Sequence, residues 1–347
     1  MKTKIMTLLP VILLLAVGTC GCPKKDRFSE FERKTLDSFT KAADGIYVMD
    51  YYANYKIEEY LSANIKTVTE LDTWLTKNLT YGVPTGNIPD TGCSSFATKD
   101  SEGNHLFGRN YDLIHGESLV IRVKPWSGYA SLGVVDLMHL NLGSMGEYKI
   151  EDKDNREALL LAAPWCISDG INEMGLGASI LELSEQHVVN DTSKKDLLMY
   201  TTLRVVLDKC ANVDEALALL ANYDMYSPRK NSYHFFLTDT TRRAVVVEWD
   251  AEGKMVTTED TAVTNFIMYN GAPMDPDQRY RKMHDKLDSV SAMTSSEAME
   301  LLETVNKGTL QEAHWSAVYN LEKFSVKVCF NEDYSNVYSY TGTKSEK

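Results

Sequence analysis

The sequence predicts an α+β protein in which a strand-rich domain follows a helical N-terminal segment. Short runs of β-branched and aromatic residues recur from Cys93 onward, and amphipathic helical patterns lie before Cys93 and between those runs. With 347 residues, 44% of them hydrophobic, the chain can form one large core. Its formal charge of −13 provides no basic surface for phosphates, which argues against nucleic-acid binding.

Residues 1–22 are predicted to be an export signal and not part of the fold. Two lysines precede an apolar run at about residues 6–17, shorter than the roughly 20 residues needed to span a bilayer. The signal ends at Cys20 and Cys22, a pattern that resembles the lipobox of bacterial lipoproteins. Cys22 is the better acylation site and Cys20 the alternative; an ordinary signal peptide with incidental cysteines is the competing interpretation. We therefore expect an exported protein, tethered to a membrane surface by its lipid chains.

Residues 23–92 are interpreted as a helical segment followed by a linker. A helix is predicted to start at Thr67 or Thr69. Its apolar residues recur at three- and four-residue steps, at Val68, Leu71, Leu75 and Leu79. Residues 81–92 contain two prolines and three glycines, so they cannot continue the helix.

Residues 93–347 are predicted to form one domain. Its first element is a hairpin, because residues 93–98 and 105–113 flank the polar turn "KDSEGN". Further strands are predicted at 118–123, 178–183, 233–237, 244–249 and 325–330, and helices at 196–209, 213–222 and 297–305.

Cys93 differs from the other cysteines of this domain. Cys166, Cys210 and Cys329 lie in apolar or amphipathic contexts, where buried free thiols with packing roles are expected. Folding the first hairpin about its turn places Cys93 opposite residue 110 or 111, with Arg109 diagonal to it on the same face.

Asp112 follows directly, so a thiol, a guanidinium and a carboxylate meet at one end of the hairpin. The cation favours thiolate over thiol. The alternative is a surface Arg–Asp pair beside a structural cysteine.

A nucleophilic cysteine needs a base, and none of the seven histidines stands in a persuasive partner motif. Cleavage of the chain between Gly92 and Cys93 would supply one, because an α-amine has a pKa near 7.7–8.0. Gly92 leaves the scissile carbonyl unhindered, so the Cys93 sulfur could attack it and form a thioester.

The stretch "CSSFATKDSEGNHLFGRNYDL" resembles the start of the mature N-terminal-nucleophile amide hydrolases of the choloylglycine hydrolase family, and the similarity extends over roughly residues 93–340. That family includes bile salt hydrolases and penicillin V acylases. The resemblance implies a four-layer αββα sandwich. It also implies that Cys93 is the nucleophile and that its freed α-amine is the base.

The other site residues also come from this resemblance. Arg109 and Asp112 of "GRNYD" match the residues that set the ionisation of the thiol and hold the amine. Asn265 in "AVTNF" matches an asparagine whose side-chain N–H would stabilise the oxyanion. Arg279 matches the last arginine of the site, and Arg281 leaves that alignment open.

Glu182 separates this chain from the bile salt hydrolases. Ten residues after Asn172 of "DGINEMGLG" those enzymes have an active-site asparagine, whereas Glu182 resembles the glutamate of acid ceramidase and N-acylethanolamine acid amidase. In those two enzymes a cut deep within the chain forms the nucleophile and leaves an N-terminal helical subunit, which residues 23–92 would become. Glu182 could instead be a solvated carboxylate at a strand end, and Asn172 and Asn265 could cap turns.

The sequence thus predicts an exported, lipid-anchored, self-processing amidase that hydrolyses a linear amide of an N-acyl compound. The substrate could be a bile-salt conjugate, an N-acyl lipid amide or an N-acyl amino acid. No cofactor is expected, and no cysteine, histidine and carboxylate cluster shows metal-ligand spacing. The rival hypotheses are an acyltransferase with the same thioester and a non-catalytic binding lipoprotein of the same fold.

Overall fold

The computed structural model describes residues 26–86, 92–151, 155–183, 188, 192–228, 231–269, 277–306 and 312–345. The predicted export signal, with Cys20 and Cys22, lies outside these residues, as do residues 87–91 of the linker. Within the described ranges, none of the helices combines the length and the apolar content that crossing a bilayer requires.

The α-helices of the described residues fall in the N-terminal segment, the middle of the chain and the region before the last strands. They are α1 (Glu30–Asp37), α2 (Ile57–Ser62), α3 (Val68–Asn78), α4 (Thr202–Lys209), α5 (Val213–Leu220), α6 (Gln278–Ser289) and α7 (Ser295–Asn306). Stretches of 3-10 helix occur at Leu137–Leu140, Asn155–Cys166 and Met199–Thr201.

The strands are mostly short and antiparallel. They are β1 (Thr40–Ala43), β2 (Ile46–Tyr51), β3 (Gly92–Lys99), β4 (His105–Asp112), β5 (Ser118–Val123), β6 (Ser131–Asp136), β7 (Ile167–Asn172), β8 (Gly177–Leu183), β9 (Lys195–Leu198), β10 (Tyr223–Tyr226), β11 (Ser232–Thr238), β12 (Ala244–Trp249), β13 (Met255–Glu259), β14 (Ala262–Val263), β15 (Ala313–Asn320), β16 (Ser325–Phe330) and β17 (Tyr338–Thr341).

Two large sheets organise these strands. The first has nine strands in the order β1-β2-β5-β6-β7-β8-β11-β12-β13, and the second has six in the order β14-β3-β4-β15-β16-β17. Strands β9 and β10 form a small parallel pair. The hairpins β3–β4, β11–β12 and β15–β16 pair antiparallel, whereas β2 pairs parallel with β5.

The sheets stack face to face, with helices on both outer faces. Phe107 and Trp315 of the six-stranded sheet share a buried cluster with Leu132 and Phe236 of the nine-stranded sheet. A second cluster lies between the nine-stranded sheet and helices α1–α5, and a third between the six-stranded sheet and helices α6 and α7. The arrangement is a four-layer αββα sandwich, which confirms the predicted fold class.

The N-terminal segment differs from its prediction. Helix α3 carries the predicted apolar stripe, and its N-cap is Thr67, whose side chain forms a reciprocal capping box with Glu70. However, residues 40–51 form β1 and β2, so the segment is not wholly helical. Strand β2 is inserted beside β5 because its alternate apolar side chains are buried, Met49 and Tyr51 among them. Strands β1 and β2 therefore join the N-terminal segment to the nine-stranded sheet.

Most of the strands predicted after Cys93 are confirmed, several at their predicted ends. The helix predicted at 196–209 is wrong in its first part, because Leu197 and Leu198 extend in β9 and pair with β10. It becomes α-helical only at Thr202. Apolar runs of this length fit a buried strand as well as a helix, and here strand pairing decides.

Candidate active site

The first hairpin places Cys93 as the sequence predicts. Cys93 pairs with Tyr111 and Ser95 pairs with Arg109, so the thiol and the guanidinium share one face of the sheet on a diagonal. Cys93 is completely buried and forms no disulfide. Gly92, expected in the linker, is instead the first residue of β3.

Arg109 brings a buried positive charge against the thiol. Its Nη2 donates to the Ile180 carbonyl at 2.7 Å, and its Nε lies 3.5 Å from a carboxylate oxygen of Asp169. Among the described residues, Nε and Nη1 have no hydrogen-bond partner. Burial lowers the pKa of Arg109, but the negative charges of Cys93, Asp169 and Asp112 outweigh burial and raise it. Arg109 is therefore a fixed cation that favours the thiolate of Cys93.

Asn265 holds the main-chain nitrogen of Cys93. Strand β14 pairs with β3, with Val263 opposite Ser95, and so carries Asn265 to the start of β3. The Cys93 N–H donates to Asn265 Oδ1 at 2.7 Å, and Asn265 Nδ2 donates to the Glu182 carbonyl at 2.8 Å. The side-chain N–H of Asn265 was expected to face the oxyanion, whereas here the side-chain oxygen of Asn265 orients the main-chain nitrogen of Cys93. One N–H of the carboxamide is used in the bond to Glu182, and a carboxamide has two.

Arg279 connects two of the predicted site residues. It lies in the first turn of α6, where Asp277 is the N-cap and also accepts from the guanidinium. Arg279 Nη1 donates to Asp112 at 2.8 Å and Nη2 donates to Asn265 Oδ1 at 2.9 Å. Arg281 is exposed. Of the two arginines that the sequence left open, Arg279 is the one that contacts the site.

Asp112 is a buried carboxylate that accepts a hydrogen bond from Arg279. It lies opposite Gly92 in the strand register, and only 2% of its surface is exposed. Burial raises the pKa of Asp112 to about 6, although Arg279 and Arg109 both lower it. No described group hydrogen-bonds its Oδ1. The carboxylate thus has capacity for one more donor near the start of β3.

Glu182 joins the site through its main chain. It lies on β8 opposite Tyr233, is buried, and its carbonyl accepts from Asn265 as described above. Its side chain accepts from Asn231, so a direct catalytic role of the carboxylate stays a prediction. Asn172 has the turn role that the sequence allowed, since its Oδ1 accepts from the main-chain N–H groups of Met174 and Leu176 in the β7–β8 turn.

Asp169 is a site residue that sequence reasoning missed. It is fully buried and accepts from Trp315 Nε1 at 2.9 Å and from the Tyr319 hydroxyl, in addition to its contact with Arg109. Burial raises the pKa of Asp169, while the charge of Arg109 and the hydrogen bonds from Tyr319 and Trp315 lower it. It is the first residue of "DGINEMG", but its partners lie on β4 and β15, so no local signal identified it.

The other cysteines of the domain are unsuited to nucleophilic chemistry. Cys166, Cys210 and Cys329 are buried and free, and burial raises the pKa of each to about 12. They are therefore protonated at neutral pH, in agreement with the predicted packing roles.

One further group could hold a cation. His115, Glu312 and Glu332 each offer a ligand atom, and these atoms lie within 4.8 Å of one another. The residues are far apart in the chain, so their spacing gave no signal. The group includes none of the residues that contact Cys93.

The family comparison matches the second half of the chain. Residues 160–332 match the family model described as acyl-coenzyme A:6-aminopenicillanic acid acyl-transferase. No curated protein matches the sequence.

Solved structures match more of the chain. A mutant of the conjugated bile acid hydrolase from Clostridium perfringens aligns with a TM-score of 0.53 and 17% identity, over 72% of this chain and 92% of that chain. Penicillin V acylase from Agrobacterium tumefaciens aligns with a TM-score of 0.51 and 16% identity, over 72% and 86%. The fold is therefore that of the choloylglycine-hydrolase-like N-terminal-nucleophile proteins.

Proposed function

We propose that this protein is a self-processing cysteine amidase that cleaves linear amides of N-acyl compounds. One observation carries the proposal: the main-chain nitrogen of Cys93 is held by Asn265 while its thiol lies against the buried cation of Arg109. These are the two groups that an N-terminal nucleophile uses, and both are fixed while the chain is still intact.

The processing step is an acyl shift at the Gly92–Cys93 bond. The sulfur of Cys93 attacks the Gly92 carbonyl, the C–N bond breaks, and the Cys93 nitrogen takes the thiol proton and becomes an amine. Water then hydrolyses the thioester, which leaves a carboxylate on Gly92 and a free thiol and amine on Cys93. The unpartnered Oδ1 of Asp112 is suited to the resulting ammonium.

The same atoms carry out the amide reaction. The α-amine accepts the thiol proton as sulfur attacks the acyl carbonyl, and it then protonates the departing amine. The second N–H of Asn265 is proposed to bind the oxyanion, an interaction worth about 3 kcal/mol of barrier. Water attacks the thioester, the acid leaves, and the thiol is restored.

The names of the similar proteins support the proposed substrate class. The two solved structures are named a conjugated bile acid hydrolase and a penicillin V acylase, which supports an N-acyl amide. The name of the matched family supports acyl transfer as the second candidate, in which an amine replaces water at the thioester.

We also propose that the protein is exported and anchored through acylated Cys22. The apolar run at residues 6–17, followed by small residues and Cys22, supports this. Substitution of Cys22 by Ser, beside Cys20→Ser as the matched control, tests it. Only the Cys22 variant should be released from membranes. Release of the Cys20→Ser variant alone would show that Cys20 is the acylated residue.

The first experiment is the intact mass and N-terminal sequence of the purified protein, beside Cys93→Ala and the control Cys329→Ala. A fragment that begins at Cys93 is expected in the wild type and in the control, and not in Cys93→Ala. Processed protein should then release the amine from a panel comprising a conjugated bile salt, penicillin V, an N-acylethanolamine and an N-acyl amino acid. An uncut chain in all three samples would refute the proposal and favour a binding lipoprotein.

A further inference from the structure

Three exposed aromatic side chains lie on helix α1 or in contact with it, near the described N-terminus. Trp126 is 62% exposed, Phe31 46% and Tyr81 42%. The rings of Phe31 and Trp126 touch edge to face at 5.4 Å, and Tyr81 packs on Phe28 at 5.0 Å between centroids. We call the exposed rings of Phe31, Tyr81 and Trp126 the aromatic surface. Exposed apolar side chains that lie together mark an interaction site more often than single exposed ones do.

The fold holds this surface in place. Trp126 Nε1, in the β5–β6 connection, donates to the Tyr52 carbonyl at 2.9 Å. Phe31 lies on α1, whose N-terminus has a capping box. The Tyr81 hydroxyl donates to Glu32 of the same helix at 2.9 Å. Three separate parts of the chain therefore present their rings from a fixed framework, so little conformational entropy is lost on binding.

Charged groups of both signs occur on α1 and next to Trp126 in the chain. Lys34 and Lys124 lie over the ring of Tyr52, with Nζ at 3.9 and 5.2 Å from its centroid. The surrounding charges are mixed in sign: Asp26, Arg27, Glu30, Glu32, Arg33 and Asp37. Aromatic rings beside long cationic side chains are typical of the bilayer interface, where the rings lie among the headgroups and the cations reach outward. The mixed signs predict no preference for anionic lipid.

The short distance in the chain between Cys22 and α1 indicates a bilayer as the partner. Asp26 is fixed to α1 by its ion pair with Arg33 at 2.6 Å, and Phe31 lies on that helix. Cys22 precedes Asp26 by four residues, a tether of at most about 14 Å. An acylated Cys22 would therefore keep the first turn of α1 close to the headgroups.

We propose that the aromatic surface is a membrane-docking face that rests in the headgroup layer of the bilayer to which Cys22 is anchored. This inference depends on the proposed anchor and not on the amidase chemistry. The rings supply a second, weaker contact beside the lipid chains, and the two together fix the orientation of the domain on the membrane.

Trp126 is its own reporter, because of the five tryptophans three are fully buried and Trp74 is half-buried. The acylated protein is placed in phosphatidylcholine vesicles with and without brominated acyl chains. Bromine should quench part of the tryptophan emission, and Trp126→Phe should remove the quenched part while the protein stays bound. Emission that bromine leaves unchanged in vesicle-bound protein would overturn the docking face.

The unacylated mature chain gives a test that is independent of the anchor. It should partition into phosphatidylcholine vesicles with little dependence on salt, and Phe31→Ala/Trp126→Ala should lower the partition coefficient at least about tenfold. Val337→Ala is the matched control, because that side chain is 41% exposed outside the aromatic surface. Equal loss in the control, or no binding by the parent chain, would refute the proposal. Hydrolysis of a water-soluble amide by the double variant should match the parent, which separates this result from the amidase test.

Discussion

Asp112 allows a quantitative test of the site before it is processed. The perturbation is Asp112→Asn in the uncleaved Cys93→Ala background, where no new amine forms. In the intact chain, burial raises the pKa of Asp112 from 3.8 to about 6, against the attraction of Arg279 and Arg109. The folded protein therefore holds an ionised carboxylate at neutral pH at a cost in stability.

The magnitude and sign follow from that shift. A rise of about 2 pKa units corresponds to about 3 kcal/mol. Between pH 3.8 and about 6 the folded chain keeps a proton that the unfolded chain has lost, so the stability contributed by Asp112 falls as pH rises through that window. Asparagine does not titrate. The free energy of unfolding of the variant should therefore gain on its parent by about 2 kcal/mol between about pH 4 and 7.

Urea unfolding of both proteins across that pH range measures the difference. Asp37→Asn, which removes an exposed carboxylate, is the control. The free energy of unfolding of this control, relative to its parent, should not change with pH. Parallel pH curves for the Asp112 variant and its parent would show that this carboxylate is not raised in pKa, and would refute the reasoning. In the processed wild type, the ammonium of Cys93 should reduce the cost, so its stability should fall less steeply with pH.

Three other predictions follow from the same contacts. Asp169→Asn removes a counter-charge of Arg109, so the pH profile of Cys93 alkylation in the processed protein should move down by about one unit; an unchanged profile would leave Asp169 only a packing role. Arg279→Ala should slow processing by about 100-fold, as measured by the rate of chain cleavage, while Arg281→Ala should process normally; equal rates would contradict the assigned contacts. After cleavage the N-terminal fragment should co-elute with the larger one on size exclusion and separate only in denaturant, because β2 is hydrogen-bonded into the nine-stranded sheet; separation in native buffer would contradict this.

The sequence was most informative where neighbours in the chain decide the structure. The β3–β4 hairpin depends on one polar turn and two alternating strands, so its register and the diagonal pair Cys93–Arg109 could be predicted. Helix α3 and its cap at Thr67 were predictable for the same reason. The need for an amine at Cys93 also came from sequence, since no histidine stands in a suitable motif.

The tertiary structure decided what depends on residues far apart in the chain. Strand β2 looked like part of a helical segment until its pairing with β5, more than 70 residues later, was seen. Arg279, and not Arg281, is the site arginine, because helix α6 starts after the N-cap Asp277. The guanidinium of Arg279 then donates to Asp112 and Asn265. Asp169 has no local signature at all, because its partners come from other strands.

The sequence by itself therefore determined the α+β class, the candidate nucleophile and the charged groups beside it, since turn chemistry, side-chain alternation and residue type act over a few positions. The four-layer sandwich was expected from the family resemblance. Only the tertiary structure decided which atom of Asn265 faces Cys93, how deeply Asp112 is buried and which rings stay in solvent. Those properties arise from long-range packing, in which small differences between burial and hydrogen bonding select one arrangement from many that the local pattern permits.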